Sequence, residues 1–305
     1  MIRYLHHSEI DKERWDYCIS NSNLPVVYML SWYLDIVAPQ WDALVKDDYR
    51  VVMPLMWRKK GFIKYVFQPL IVQQSGVFTV TKKNPDRELV NEFINAIPRR
   101  FRYLDYSLNE TIALEHYAGN HILRKNHVLP IDKSYDAIAS GYSRRCRRNL
   151  NKANQCKLHE YKNFSPAEAV DFLRLHLKKK IPAFNNYYHT LQHIIESAIE
   201  RDMGSIIGAV GPGGEITGLQ FNLHNHHRCT MVICAITEFG HYSESMYFII
   251  DRIIRKYAGQ LKELDFFGSN IPSVEFFNLS FGVETRYYAR IKVNRLPFYL
   301  RLLKR

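Results

Sequence analysis

The chain has 305 residues, of which 47% are hydrophobic and 13% aromatic, and 42 Lys and Arg against 30 Asp and Glu give a net charge of +12. That length suits two domains, and so apolar a composition excludes a disordered chain. The basic excess favours anionic partners: nucleic acid, phosphorylated cofactors, nucleotide-linked substrates or an acidic membrane surface.

The five cysteines are odd in number and none forms a C-x-x-C pair, which points away from a disulfide framework or a zinc knuckle. They read as reduced thiols, most of them filling core space. The opening residues, MIRYLHHSEIDKERW, lack the apolar core of a signal peptide. No run approaches the roughly 18 apolar residues that span a bilayer. The expectation is a soluble cytoplasmic protein.

In chain order, the first predicted element is a helix around LSWYLDIV. The segment WDALVKDDYRVVMPLMWRKKGFIKYVF then reads as three strands joined by short polar turns. A helix over PDRELVNEFINAI leads into a strand, FRYLDYSLN. Further on, Ile138, Tyr142, Cys146 and Leu150 recur every four residues and predict one apolar helix face. Arg144, Arg148 and Lys152 run parallel to it, with Arg145 and Arg147 beside them, so the basic run YSRRCRRNLNKANQ belongs to an amphipathic helix.

Ser165, Pro166 and Glu168 predict a capped helix start before AVDFLRLHLKKK. A second helix follows through TLQHIIESAIERD. SIIGAV, ITGLQFNLH and CTMVICAIT then predict an antiparallel meander. SESMYFIIDRIIRKYAG places Met246, Ile250, Ile253, Ile254 and Tyr257 on one helical stripe ended by Gly259. KELDFFGS reads as a strand, PSVEFFNLS as a short helix and TRYYARIKV as the last strand.

The first half is a fainter copy of the second. Leu104-Asp105-Tyr106 echoes Leu264-Asp265-Phe266, and the order of elements agrees. The reading is an internal duplication: an α+β protein of two tandem domains, 1–130 and 131–305, each a mixed, mainly antiparallel sheet flanked by helices.

Three segments carry a resemblance: SRRCRRNLNKA, AITEFGHYSESMYFIIDRIIRKYA and LDFFGSNIPSVEFFNLSFG. Through them the chain resembles the GNAT acyltransferases, and more closely the branch with two GNAT-like domains. That branch includes the Fem-type peptidoglycan-bridge aminoacyltransferases and related acetyltransferases. The resemblance implies acyl or aminoacyl transfer to an amine, with acetyl-CoA or another acyl-CoA, or an aminoacyl-tRNA, as donor. The acceptor implied is an anionic or nucleotide-linked molecule.

It also implies that the strand before the long helix splays from its neighbour, freeing N–H groups for an acyl carbonyl. The helix N-terminus then faces a phosphate. On that reading Gly240, His241, Ser243 and Ser245 form the cofactor loop, although the family's further loop glycines are absent. No tyrosine stands at Phe276 or Phe277, where many relatives have one to protonate the leaving group, so either Tyr242 or Tyr247 is the acid or the donor is not a thioester; both phenylalanines read as core. Asp265 and Glu238 are the candidate bases. Arg145, Arg148, Lys180, Tyr187 and Tyr188, with Gln73 and Gln74 from the first half, are candidate substrate contacts.

Two other readings stand beside this one. The arginine helix can serve a non-catalytic nucleic-acid-binding protein, although it lacks interleaved aromatics for stacking. A degenerate domain pair that only binds a partner is the other. His224, His226 and His227 straddle a hairpin tip with no carboxylate at ligand spacing, so they read as turn histidines and no metal is expected.

Overall fold

The computed structural model describes residues 1–81, 83–113, 121–177, 187–268 and 270–297. In chain order the elements are β1 (Ile2–Leu5), α1 (Lys12–Ser20), α2 (Ser31–Val37), β2 (Asp42–Lys46), β3 (Val51–Leu55), β4 (Trp57–Lys60) and β5 (Ile63–Val66). Then come β6 (Phe78–Thr79), α3 (Arg87–Ala96), β7 (Phe101–Ser107), β8 (His121–Pro130), α4 (Tyr135–Ser140), α5 (Arg144–Gln155), β9 (His159–Tyr161), α6 (Pro166–Leu177) and α7 (Tyr188–Glu200). The chain continues through β10 (Gly204–Val210), β11 (Ile216–His224), β12 (Arg228–Ile236), α8 (Glu238–Tyr242), α9 (Ser245–Tyr257), β13 (Glu263–Asp265), α10 (Pro272–Leu279) and β14 (Glu284–Asn294). The protein is α+β, as its sequence predicts.

Two compact units result, Met1–Asn126 together with the segment from Arg286 onward, and His127–Thr285. The strand expected to close the second domain thus belongs mostly to the first unit, where β14 lies antiparallel to β7 with Arg290 opposite Ser107. The guanidinium of Arg290 grips the Asp105 carboxylate twice, at 2.5 and 2.9 Å.

In the first unit β1, β2, β3 and β6 form a sheet, and β4, β5, β7 and β14 pair in that order. Four strands, not three, arise from residues 41–67, because Met56 interrupts β3 and β4. The unit is centred on Trp15 and Trp41, whose rings lie 4.7 Å apart and are closed to solvent. Asp11 and Asp86 cap α1 and α3 by accepting the N–H of Arg14 and Leu89.

In the second unit the strand order is β13-β12-β11-β10-β9, with the end of β8 against β13. The stripe Ile138, Tyr142, Cys146 is buried as expected, but it crosses two helices rather than one. Gly141 ends α4, and the Ser143 hydroxyl accepts the Cys146 N–H to start α5. The capping box at Ser165 and Glu168 forms as read, with reciprocal contacts of 2.8 and 3.2 Å. α9 packs across β10 and β11, and α5 packs on α9.

Candidate functional site

The feature that organises the second unit is a slot in its sheet. β12 and β13 run parallel and pair over Arg228–Glu263, Cys229–Leu264 and Thr230–Asp265, and there the ladder stops. β12 continues six residues further, to Ile236. Its register with β11 skips at Val232, since Asn222 faces Met231 while Phe221 faces Ile233. Such a bulge bends the strand and re-aims its backbone groups. Gln220, almost fully buried, stitches the bulge by donating to the carbonyls of Phe221 (2.7 Å) and Ile233 (3.1 Å). Neither Gln220 nor Val232 was singled out in sequence, although a glutamine inside the apolar run ITGLQFNLH is the signal that marks it. Cys234 lies on the widened part of β12 and is exposed, unlike the core thiols Cys18, Cys146 and Cys229.

Beyond the slot, Thr237 caps α8 by accepting the Gly240 N–H at 2.9 Å. α9 restarts after Ser243, through Glu244 in a left-handed conformation with φ +58°. Gly240 is required by packing: a Cβ there would lie 2.1 Å from the Thr217 carbonyl oxygen. Ser243 and Ser245 are also turned inward. Their hydroxyls lie 3.0 Å apart, and Ser245 donates to the Thr217 hydroxyl (2.8 Å), which donates to the Ala209 carbonyl (3.1 Å). Both side chains are fully buried, so they bind the loop to the sheet rather than facing a phosphate, and neither caps α9. His241, Tyr242 and Glu238 are exposed on α8.

Asp265 is closed to solvent. Its carboxylate meets Arg228 at 3.2 Å and accepts the Phe267 N–H at 2.8 Å, while Arg228 also holds Glu263 at 2.8 Å. Asp265 thereby ends β13 in a buried ion pair, and Asp105, inside β7 of the first unit, is likewise held by an arginine, Arg290.

The basic helix borders the same loop. Arg145 donates to the Tyr247 hydroxyl at 3.3 Å and lies 4.7 Å over the ring of Phe276. Lys152 reaches Glu244 at 3.7 Å and the Tyr242 ring at 4.6 Å. Phe277 packs on Tyr247, but Phe276 is 57% exposed on α10 and is not a core residue. Arg144, Arg147, Arg148, Asn151, Lys152 and Gln155 line a surface concavity of about 540 Å³. Arg147 is anchored on the Ser140 carbonyl at 2.7 Å, whereas Arg144 and Arg148 have no acidic partner among the described residues.

The remaining candidates lie elsewhere. Tyr188 is buried beneath Arg174, whose guanidinium lies 5.5 Å over its ring, and Tyr187 precedes α7. Lys180 lies outside the described residues. In the first unit Gln73 and Gln74 belong to a buried network: Gln73 donates to Asn126 (3.0 Å), and Gln74 and Asn126 both donate to Glu110 (3.1 and 2.7 Å). Arg286 completes it at 3.2 Å, so both glutamines serve an internal network. Among the described residues no group of three or more His, Cys, Asp or Glu is placed to hold a metal.

No protein-family model and no curated protein matches the sequence. Solved structures do match in fold. A crystal structure of FemX superposes with a TM-score of 0.70 at 11% identity, covering 99% of both chains. The chain has the tandem GNAT fold. A tandem GNAT protein from the clavulanic acid biosynthesis pathway gives 0.51 at 14% identity over 97% of this chain and 99% of that one. The C-terminal domain of a putative lysylphosphatidylglycerol synthetase from Agrobacterium fabrum gives 0.52 at 13%, over 89% and 93%. Identities this low speak for the tandem GNAT fold alone, and no helix among the described residues is long and apolar enough to cross a membrane.

Proposed function

We propose that this protein is an N-acyltransferase that moves an acyl or aminoacyl group from a phosphate-bearing donor to an amine. The observation that carries the reading is the slot between β12 and β13, opened at Thr230 and bulged at Val232, with the unpaired arginines of α5 on the same unit. A strand freed from its neighbour offers main-chain N–H groups to a carbonyl oxygen that gains negative charge during acyl transfer.

An acyl-CoA or aminoacyl-tRNA donor fits by charge more than by loop chemistry. Arg144, Arg148 and Lys152 would hold its phosphates, since the buried Ser243 and Ser245 hydroxyls are already engaged. When bound, the donor supplies the activated acyl carbon. The amine acceptor must be neutral to attack, and the exposed Glu238 carboxylate, which has no hydrogen-bond or ionic partner among the described residues, is assigned to take its proton. Tyr242, 64% exposed and with Lys152 over its ring, is assigned to give its hydroxyl proton to the donor's departing group as the bond to the acyl carbon breaks. Fem-type and lysylphosphatidylglycerol-synthetase-type likenesses support an aminoacyl donor, and the clavulanic-acid-pathway likeness supports a thioester.

The test is calorimetric titration with acetyl-CoA and with aminoacyl-tRNA, followed by mass-spectrometric detection of acylated amines. Binding of one donor, weakened at least tenfold by Arg144→Ala with Arg148→Ala, supports the reading. Neither binding nor turnover of either donor ends it.

A further inference from the structure

The hairpin β4–β5 has no part in that site. Between Asp48 and Asp86 the sequence has no acidic residue, and the hairpin reads Trp57-Arg-Lys-Lys-Gly-Phe-Ile-Lys64. β4 is the edge strand of its sheet. Lys59 stands directly opposite Lys64, and Lys60 opposite Ile63, across a two-residue turn. Like charges facing each other across a strand pair are unfavourable, so the arrangement costs stability unless an anion relieves it. Gly61, at φ +58°, permits the turn, and Phe62 projects from it with 79% of its surface exposed. It is the most exposed aromatic residue among those described.

Charged residues on an edge strand also block unwanted strand pairing. That role accounts for the lysines but not for an exposed phenylalanine at the tip. Nucleic acid would require open ring faces for stacking. Two rings in and beside the hairpin are covered by its own cations: Lys64 lies 4.3 Å over Trp57, and Arg58 lies 4.2 Å over Phe67, against which Tyr65 packs edge-on. A single protruding apolar side chain flanked by cations that have no acidic partner among the described residues instead matches a surface that is apolar within and anionic outside.

We infer that the β4–β5 hairpin is a membrane-docking element, which inserts Phe62 into the interface of an anionic bilayer while Lys59, Lys60 and Lys64 contact lipid phosphates. The inference is independent of the acyl-transfer reading, because it concerns the first unit and requires no donor.

The test is flotation of the full chain with phosphatidylcholine vesicles, with and without 40% phosphatidylglycerol. Binding is expected only with the anionic lipid, weakening as salt rises from about 0.1 to 0.5 M. Each cation near such a surface is worth about fivefold in partitioning, so Lys59→Gln, Lys60→Gln and Lys64→Gln together should weaken binding about a hundredfold. Phe62→Ser, an exposed change whose folding circular dichroism checks, should weaken it about tenfold. Arg144→Ala with Arg148→Ala on α5 should leave it unchanged. No binding to anionic vesicles overturns the inference, as does binding that the α5 variant abolishes and the hairpin variants spare. Tight binding of a single-stranded oligonucleotide through the same lysines, without vesicle binding, overturns it as well.

Discussion

Arg228 and Asp265 meet between β12 and β13, Nη1 to Oδ2 at 3.2 Å, with both side chains shut away from solvent. A carboxylate so held is poorly placed to take a proton from a substrate. Removing it leaves the buried Arg228 with Glu263 as its remaining acidic partner among the described residues, and the Phe267 N–H without this acceptor. Asp265→Ala should therefore destabilise the protein by about 1.5–3 kcal/mol, read as a lower midpoint in urea. If Asp265 were the general base instead, stability would be retained while turnover collapsed.

Gly240→Ala should cost about 1–3 kcal/mol, because the added methyl group meets the Thr217 carbonyl and the loop must move. Ser245→Ala should cost about 1–2 kcal/mol through loss of its contact with the Thr217 hydroxyl. Thermal melting measures both. Donor affinity should change little for Ser245→Ala, and a tenfold loss of affinity with an unchanged melting temperature would return Ser245 to the phosphate.

Glu238→Gln and Tyr242→Phe should each lower turnover about 10²–10⁴-fold with donor affinity preserved, the range for one positioned acid or base. Both residues are exposed, so melting curves should match those of the parent protein. Full activity in either variant would remove that residue from the chemistry.

Stability should fall with acidity through His224 and His227. Burial, joined at His224 by the charge of Lys256, holds both imidazoles below the ordinary value of 6.5, with Glu263 opposing the shift at His227. The unfolded chain therefore takes these protons first as pH drops. Stability is full above about pH 6.5 and declines below it, through the lowered folded-state values. Melting between pH 7.5 and 5 should show the decline, and His224→Gln with His227→Gln should flatten it. An unchanged slope in that variant would assign the acid sensitivity to other groups.

Local patterns were legible in the sequence wherever the cause is local. Ser165 and Glu168 cap α6 within three residues of each other, and the stripe on α9 follows from helical spacing. Pairing between distant segments was not. β14 joins β7 through contacts such as Arg290 to Asp105, 185 residues apart, and nothing in TRYYARIKV names that partner. The break between α4 and α5 was hidden because Tyr142 keeps the four-residue spacing on both sides of Ser143. At the site, loop membership was readable but side-chain direction was not. Ser245 turns inward because Thr217, more than twenty residues earlier, offers it a partner, and Ser243 turns to Ser245 and the Phe239 carbonyl, while Gln73 turns toward Asn126 and Gln74 toward Glu110.

The slot beside β12 is built from where two backbones part, not from which side chains line it. An opening of that kind survives the replacement of almost every residue around it, so long as the bulge at Val232 and the short pairing with β13 persist. Backbone features of this kind are compatible with the 11% identity at which the chain still superposes on FemX over 99% of its length. On the acyl-transfer proposal, substrate choice should therefore be mapped on the solvent-facing side chains of α5, α8 and α10, such as Arg148, Tyr242 and Phe276, and not on the sheet itself.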